Sequence, residues 1–125
     1  LTLSTVWDDF DNAAGLRPTT TDLTLTAKSG STDITSSVLT GANPSKVVSN
    51  GSVTWSNLPL YHSGSPVSYY IKQADVTEYS APVYGGSSNS ACLITFDSSG
   101  SAAATVTNSL RIQAPTIVKK ATASA

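Results

Sequence analysis

Apolar and polar residues alternate along nearly every patterned stretch of this chain, and a period of two is the spacing at which side chains of a β-strand share a face. Leu23, Leu25 and Ala27 alternate with Thr24 and Thr26; Val67, Tyr69 and Ile71 alternate with Ser68, Tyr70 and Lys72; Ala104 and Val106 alternate with Thr105 and Thr107. Turn signals rich in Gly, Pro, Asn and Ser recur about every 8–12 residues, which is the rhythm of an all-β Greek-key sandwich. No stretch has convincing helical periodicity. Strands are expected over Thr2–Trp7, Thr20–Ala27, Val67–Val76, Ala91–Asp97 and Ala102–Leu110, with a weakly patterned one at Asp33–Leu39 and a short one at Tyr79–Tyr84.

The sharpest local signal is Asn50-Gly51, a dipeptide that tolerates positive φ at both central positions of a type I′ turn. It predicts a hairpin between Lys46–Ser49 and Ser52–Trp55, ended by Pro59, with a loop over Tyr61–Pro66. The expected domain spans residues 1–112. Residues 113–125, with Pro115, Lys119-Lys120 and small residues, read as a linker or a frayed end. The chain opens at Leu1 without a methionine or a signal peptide, as expected of a domain excised from a longer protein.

With 125 residues there is room for one core. Charged residues make up 12 % and the net charge is −1, so no basic stripe exists to follow a nucleic-acid backbone. No apolar run of about 20 residues is present, so this fragment has no helical membrane span. The single cysteine, Cys92, rules out an internal disulfide; it shares a face with Ile94 and Phe96 and reads as a small buried hydrophobe. Thr-rich, thiol-poor composition of this kind suits an exported surface module.

Three polar residues occupy inward slots of the alternation. Thr5 shares its face with Leu1, Leu3 and Trp7; Gln73 with Val67, Tyr69 and Ile71; Asn108 with Ala104, Val106 and Leu110. An unpartnered buried amide costs roughly 1–3 kcal/mol, so the three groups are expected to bond to one another or to backbone.

The ordered set Trp7-Asp8-Asp9-Phe10-Asp11-Asn12, Gly15-Leu16-Arg17-Pro18, Trp55-Ser56-Asn57-Leu58-Pro59-Leu60-Tyr61, Ser63-Gly64, Tyr69-Tyr70-Ile71-Lys72-Gln73 and Val106-Thr107-Asn108 resembles the Cna B-type domain of Gram-positive surface adhesins and pilins. The resemblance covers roughly residues 1–110. It implies an inverse immunoglobulin-like, prealbumin-like sandwich that serves as a stalk or spacer in a secreted, cell-wall-attached protein, with neighbouring domains of that protein as its partners.

Members of that family often carry a self-formed isopeptide bond between a first-strand lysine and a last-strand asparagine, promoted by a buried acid. Here Thr5 stands at the lysine position and Gln73 at the acid position, while the asparagine is kept as Asn108. The family's bond needs an attacking amine and a proton-shuttling carboxyl, and neither is present. An ester from the Thr5 hydroxyl to either carboxamide is a sharper alternative, but no carboxylate or histidine on that face would take the hydroxyl proton. The site is therefore read as an unlinked polar cluster.

Asp8, Asp9 and Asp11 with Asn12 offer oxygens for a calcium ion, yet Ala13 and Ala14 break the ligand pattern; the alternative is a turn in which Arg17 pairs with one carboxylate. His62 lies beside Ser63 without a nucleophile motif, which makes it a surface histidine. Lys72 and the tail lysines Lys119 and Lys120 read as solubilising charges. No catalytic residue, cofactor or resident metal is indicated, and the chain is read as a structural module rather than an enzyme. The competing reading is an adhesin domain that recognises host matrix protein or glycan through the loops Asp8–Pro18 and Tyr84–Ser90 or a face built from Tyr61, Tyr69, Tyr70, Tyr79 and Tyr84.

Overall fold

The computed structural model describes residues 1–41 and 43–111. The tail expected from Gln113 onward, with Lys119 and Lys120, lies outside the described residues. Among the described residues, ten strands and one short helix follow one another as β1 (Thr2–Asp8), β2 (Thr21–Ser29), β3 (Thr32–Asp33), α1 (Thr35–Val38), β4 (Lys46–Ser49), β5 (Ser52–Thr54), β6 (Tyr61–His62), β7 (Ser65–Pro66), β8 (Ser68–Gln73), β9 (Val83–Gly86) and β10 (Ala103–Ser109).

One sheet has the order β5-β1-β10-β9. In the other, β2 pairs with β8 along one edge and with β4 and then β3 along the opposite edge. The inward faces carry the alternating apolar residues. Leu3, Ala104 and Val106 of the first sheet pack with Leu23, Leu25, Ala27, Tyr69 and Ile71 of the second, and all are essentially fully buried. Burying each Leu, Ile or Val contributes about 1.5–3 kcal/mol, enough to fix the register, since a one-residue slip would turn every one of these side chains to water. Trp55 closes one flank, its indole N–H donating to the Pro44 carbonyl at 2.8 Å. Tyr69 donates its hydroxyl proton to the Pro59 carbonyl at 2.5 Å, and burial pushes its pKa up to about 12.

The structure corrects the sequence reading in four places. Asn50-Gly51 does not turn a hairpin. β4 pairs with β2 through Val47 and Leu23, whereas β5 pairs with β1 through Val53 and Leu3, so the dipeptide carries the chain from one sheet to the other. Gly51 has φ 149°, Asn50 has no positive φ, and the Gly51 carbonyl accepts from the Thr5 amide at 2.8 Å, extending the β1 ladder. Each flanking strand has its own apolar inward set, and burying both sets against different sheets outweighs a dipeptide's turn preference. The paired positive φ of a type I′ turn occurs instead at Ser63 (50°) and Gly64 (80°), between β6 and β7, inside the segment expected to be a loop.

The expected strand at Asp33–Leu39 is mostly α1. The Asp33 carboxylate accepts from the Thr35 amide, the Thr35 hydroxyl accepts from the Ala27 amide, and Ile34, Val38 and Leu39 turn toward the core. Ile34 and Val38 are four apart, a helical spacing that the alternation reading passed over, and Leu39 follows the helix in extended conformation. The expected strand at Ala91–Asp97 is irregular, because Asn89 Oδ1 accepts from both the Ala91 and Leu93 amides and Cys92 takes φ 67°. Even so, this segment follows the edge of β8, with Ile71 N–H donating to Cys92 O and Ile94 N–H to Tyr69 O. Finally, the strand expected at Tyr79–Tyr84 lies later, as β9. Gly86 allows its close approach to β10: φ is 63°, and a Cβ there would meet the Ala103 carbonyl oxygen at 2.5 Å.

Candidate functional site

The strand alternation delivers Gln73 and Asn108 to one spot between the sheets. Gln73 ends β8 in the inward series Tyr69, Ile71, Gln73, and Asn108 lies near the end of β10 in the series Ala104, Val106, Asn108. Both side chains are buried, at 1 % and 0 % exposure. Their carboxamides pair reciprocally: Gln73 Nε2 donates to Asn108 Oδ1 at 2.6 Å and Asn108 Nδ2 donates to Gln73 Oε1 at 3.1 Å. Two hydrogen bonds thus span the sandwich between residues far apart in sequence. No titratable side chain among the described residues hydrogen-bonds either carboxamide. Tyr84 supports the pair from β9, its hydroxyl accepting from the Gln73 backbone amide at 2.8 Å. Sequence reasoning treated Tyr84 as surface for a ligand and missed this role.

Thr5 does not join the pair, contrary to the sequence expectation. It sits on the parallel neighbour β1, opposite Val106, while Trp7 stands opposite Asn108. Its Oγ1 is buried and has no hydrogen-bond partner. A threonine hydroxyl is attached directly to Cβ, so it lacks the reach of the carboxamides that meet across the sheets. The cluster is a pair of amides with an unsatisfied hydroxyl next to it.

The acidic loop forms a different constellation. The Asp9 carboxylate, 1 % exposed, is held in a fork by Arg17, with Nε to Oδ2 at 2.9 Å and Nη2 to Oδ1 at 2.5 Å. The Tyr79 hydroxyl donates to Oδ2 at 2.7 Å and the Asn12 amide to Oδ1 at 3.2 Å. Trp7 completes the clasp, with Tyr79 edge-on at 5.2 Å and Arg17 over its ring at 5.6 Å. The Trp-Asp-Asp and Arg-Pro motifs are therefore the two halves of one fastening that ties the β1–β2 loop to the sheet. The calcium alternative would need Asp9 oxygens that this arrangement already occupies, and Asp8 and Asp11 are exposed. Among the described residues no three His, Cys, Asp or Glu side chains are grouped to hold a metal.

The Arg17 fork, helped by Tyr79 and the Asn12 amide against the cost of burial, holds the Asp9 carboxyl well below the usual carboxylate range. A group with a depressed folded pKa contributes stability that is present above its unfolded value, about 3.9, and is lost as pH falls through the folded value. Asp9→Asn should accordingly be less stable than wild type at pH 7, with the gap narrowing steadily below about pH 4. Urea unfolding at several pH values measures this. A gap of constant size from pH 7 to pH 2 would contradict the assignment.

The tyrosines do not form a common face. Tyr69 and Tyr79 are buried, Tyr84 and Tyr70 half-buried with Lys28 Nζ over the Tyr70 ring, and Tyr61 is exposed. His62 lies in the β6–β7 hairpin. Cys92 is half-buried, and its thiol pKa is raised by desolvation.

Comparison with known proteins agrees with this fold. The family model for the Cna protein B-type domain matches residues 1–97. The fold is similar to a single B repeat unit of the collagen-binding surface protein Cna of Staphylococcus aureus, at 20 % identity and TM-score 0.57, covering 87 % of this chain and 48 % of that one. It is similar also to two B repeat units of the same protein, at 22 % identity and TM-score 0.55, covering 87 % of this chain and 24 % of that one. The chain thus spans about half, or a quarter, of the structures it matches. No curated protein matches it. The family match ends before β10, so Asn108 is placed by the fold rather than by the matched segment. With its motif residues fastened into a two-sheet sandwich of this kind, the chain belongs to the Cna B-type domain family.

Proposed function

We propose that this domain is a load-bearing stalk module of a secreted, cell-wall-attached adhesin or pilus-like protein of a Gram-positive bacterium, and that its first and last strands carry no covalent tie. The observation that supports this reading best is the parallel pairing of β1 and β10 over seven residues each, Thr2 with Ala103 through Asp8 with Ser109. Two parallel neighbours put the start of β1 and the end of β10 at opposite poles, about 20 Å apart along the strand axis. Tension applied at those two points runs along the strands and loads the whole ladder in shear, so its hydrogen bonds resist together rather than one at a time.

The buried amide pair gives the last strand a further hold on the opposite sheet without any acid or base for bond formation. Family membership supports a place among surface adhesins, and partners are then the neighbouring modules of the same protein. Among the described residues no helix is long and apolar enough to cross a membrane.

Pulling a tandem array of this domain in a force spectrometer tests the reading. Each unfolding step should lengthen the array by about 35 nm, the full span from β1 to β10. A covalent tie between Thr5 and Asn108 would hold nearly all of that back, leaving less than about 2 nm. Steps of the short kind would overturn the unlinked assignment, and unfolding at negligible force would overturn the load-bearing one.

A further inference from the structure

Asn50 and Gly51 carry the chain from β4 to β5 where it crosses between the sheets, and they belong to neither strand. Of the six asparagines in the chain, Asn50 is the one followed by glycine. The pairing matters chemically, because the amide nitrogen after an asparagine can attack the side-chain carboxamide when no β-carbon stands in its way. The structure leaves both partners open. Asn50 is exposed, and its carboxamide is held by none of the described residues. A Cβ added at Gly51 would meet nothing within 4 Å. The Gly51 amide donates to the Ser49 hydroxyl at 3.1 Å rather than to a main-chain carbonyl, so its nitrogen stands outside the ladder.

The other asparagines are held or shielded. Asn12 Oδ1 accepts from the Arg17 amide, Asn89 Oδ1 from the Ala91 and Leu93 amides, and Asn43 Oδ1 from the Ser56 amide, while Pro44 after it has no N–H to lose. Asn108 is buried against Gln73, and Asn57 precedes Leu58, whose branched side chain crowds the nitrogen. We propose that Asn50 is a site of self-modification that turns the crossing between the sheets into an isoaspartyl linkage. The Gly51 nitrogen gives up its proton to solvent and attacks Asn50 Cγ; a C–N bond forms, the Cγ–Nδ2 bond breaks, and ammonia leaves with a proton taken from solvent as a five-membered cyclic imide closes. Water then opens the ring. Opening at Cγ gives aspartate, whereas opening at the main-chain carbonyl gives isoaspartate, in which the chain runs on through the former side chain. The second product lengthens the main chain by one carbon, about 1.5 Å. The Gly51 carbonyl accepts from the Thr5 amide at 2.8 Å, so the bond that closes the β1–β5 ladder at this corner is the one lost. The stalk reading does not depend on this site and is tested separately by force, so failure of either leaves the other standing.

The test is to age the folded 125-residue chain at mildly alkaline pH beside a synthetic peptide of residues 48–53, following intact mass, peptide maps that distinguish isoaspartate from aspartate, and hydrogen exchange of the Thr5 amide. The chain should gain the mass of water less ammonia, at Asn50, at least about tenfold faster than at any other asparagine and within about tenfold of the peptide. Because the attacking nitrogen must first lose its proton, the rate should rise with pH. Asn50→Ser should keep its mass. In the aged isoaspartyl chain the Thr5 amide should exchange at least about tenfold faster than in freshly prepared Asn50→Asp, which carries the same charge without the added carbon. Conversion at another asparagine first, a folded chain that stays unchanged while the peptide converts, or equal Thr5 exchange in the two forms would overturn the proposal.

Discussion

The double variant Thr5→Lys/Gln73→Glu will lose one ammonia as it folds and will unfold roughly 10–25 °C above wild type. The reason lies in the amide pair. Gln73 Nε2 stands 2.6 Å from Asn108 Oδ1, so a carboxylic acid at position 73 would hydrogen-bond the Asn108 carboxamide, polarise its carbonyl and pass a proton to the departing nitrogen. β1 lies beside β10, with Thr5 opposite Val106, two residues from Asn108 on the inward face. The longer side chain introduced at position 5 can cover the distance the threonine hydroxyl does not. Its neutral amine attacks the Asn108 carboxamide carbon, a new C–N bond forms, the old one breaks, and ammonia leaves.

The resulting tie closes a loop of about a hundred residues. In the chain-entropy account this takes about 3–5 kcal/mol of freedom from the unfolded state. Intact mass together with thermal unfolding reads both effects. Thr5→Lys alone, without the acid, should retain its ammonia. A folded double variant of unchanged mass would mean that β1 and β10 do not set these positions side by side.

Breaking the amide pair gives the second large effect. Gln73→Leu or Asn108→Leu leaves the other carboxamide buried with neither of its two observed bonds, which costs about 2–3 kcal/mol in each case. Replacing both removes the unmet polar groups together, so the double variant should be more stable than the sum of the singles allows, by about 1–2 kcal/mol. Urea unfolding of the four proteins completes the cycle. Strict additivity would show that the two amides do not depend on each other.

Sequence periodicity was a reliable guide wherever a strand is buried on one face along its whole length. The inward series of β2, β8 and β10 were legible residue by residue, and with them the meeting of Gln73 and Asn108. That Arg17 would pair with one carboxylate of its loop was legible as well, because short loops bring such charges together locally, but which of the three it would be was not. Tyr79 and Tyr84 were not, since each partners a residue distant in sequence and parity does not say which hydroxyl meets which acceptor. Thr5 was assigned the right face but the wrong company, because periodicity gives direction and not reach.

Alternation alone therefore determined that the chain makes half-buried strands, which side chains point inward and that two amides lie in the core. These are properties of single strands, set by a period of two and the cost of wetting apolar surface. Only the tertiary structure decided that β4 and β5 belong to different sheets, that Ile34, Val38 and Leu39 cover the core together, and that β1 runs parallel to β10. Those outcomes depend on which distant surfaces are available to cover each apolar set, and burial against the right partner outweighs the local preference of a dipeptide such as Asn50-Gly51.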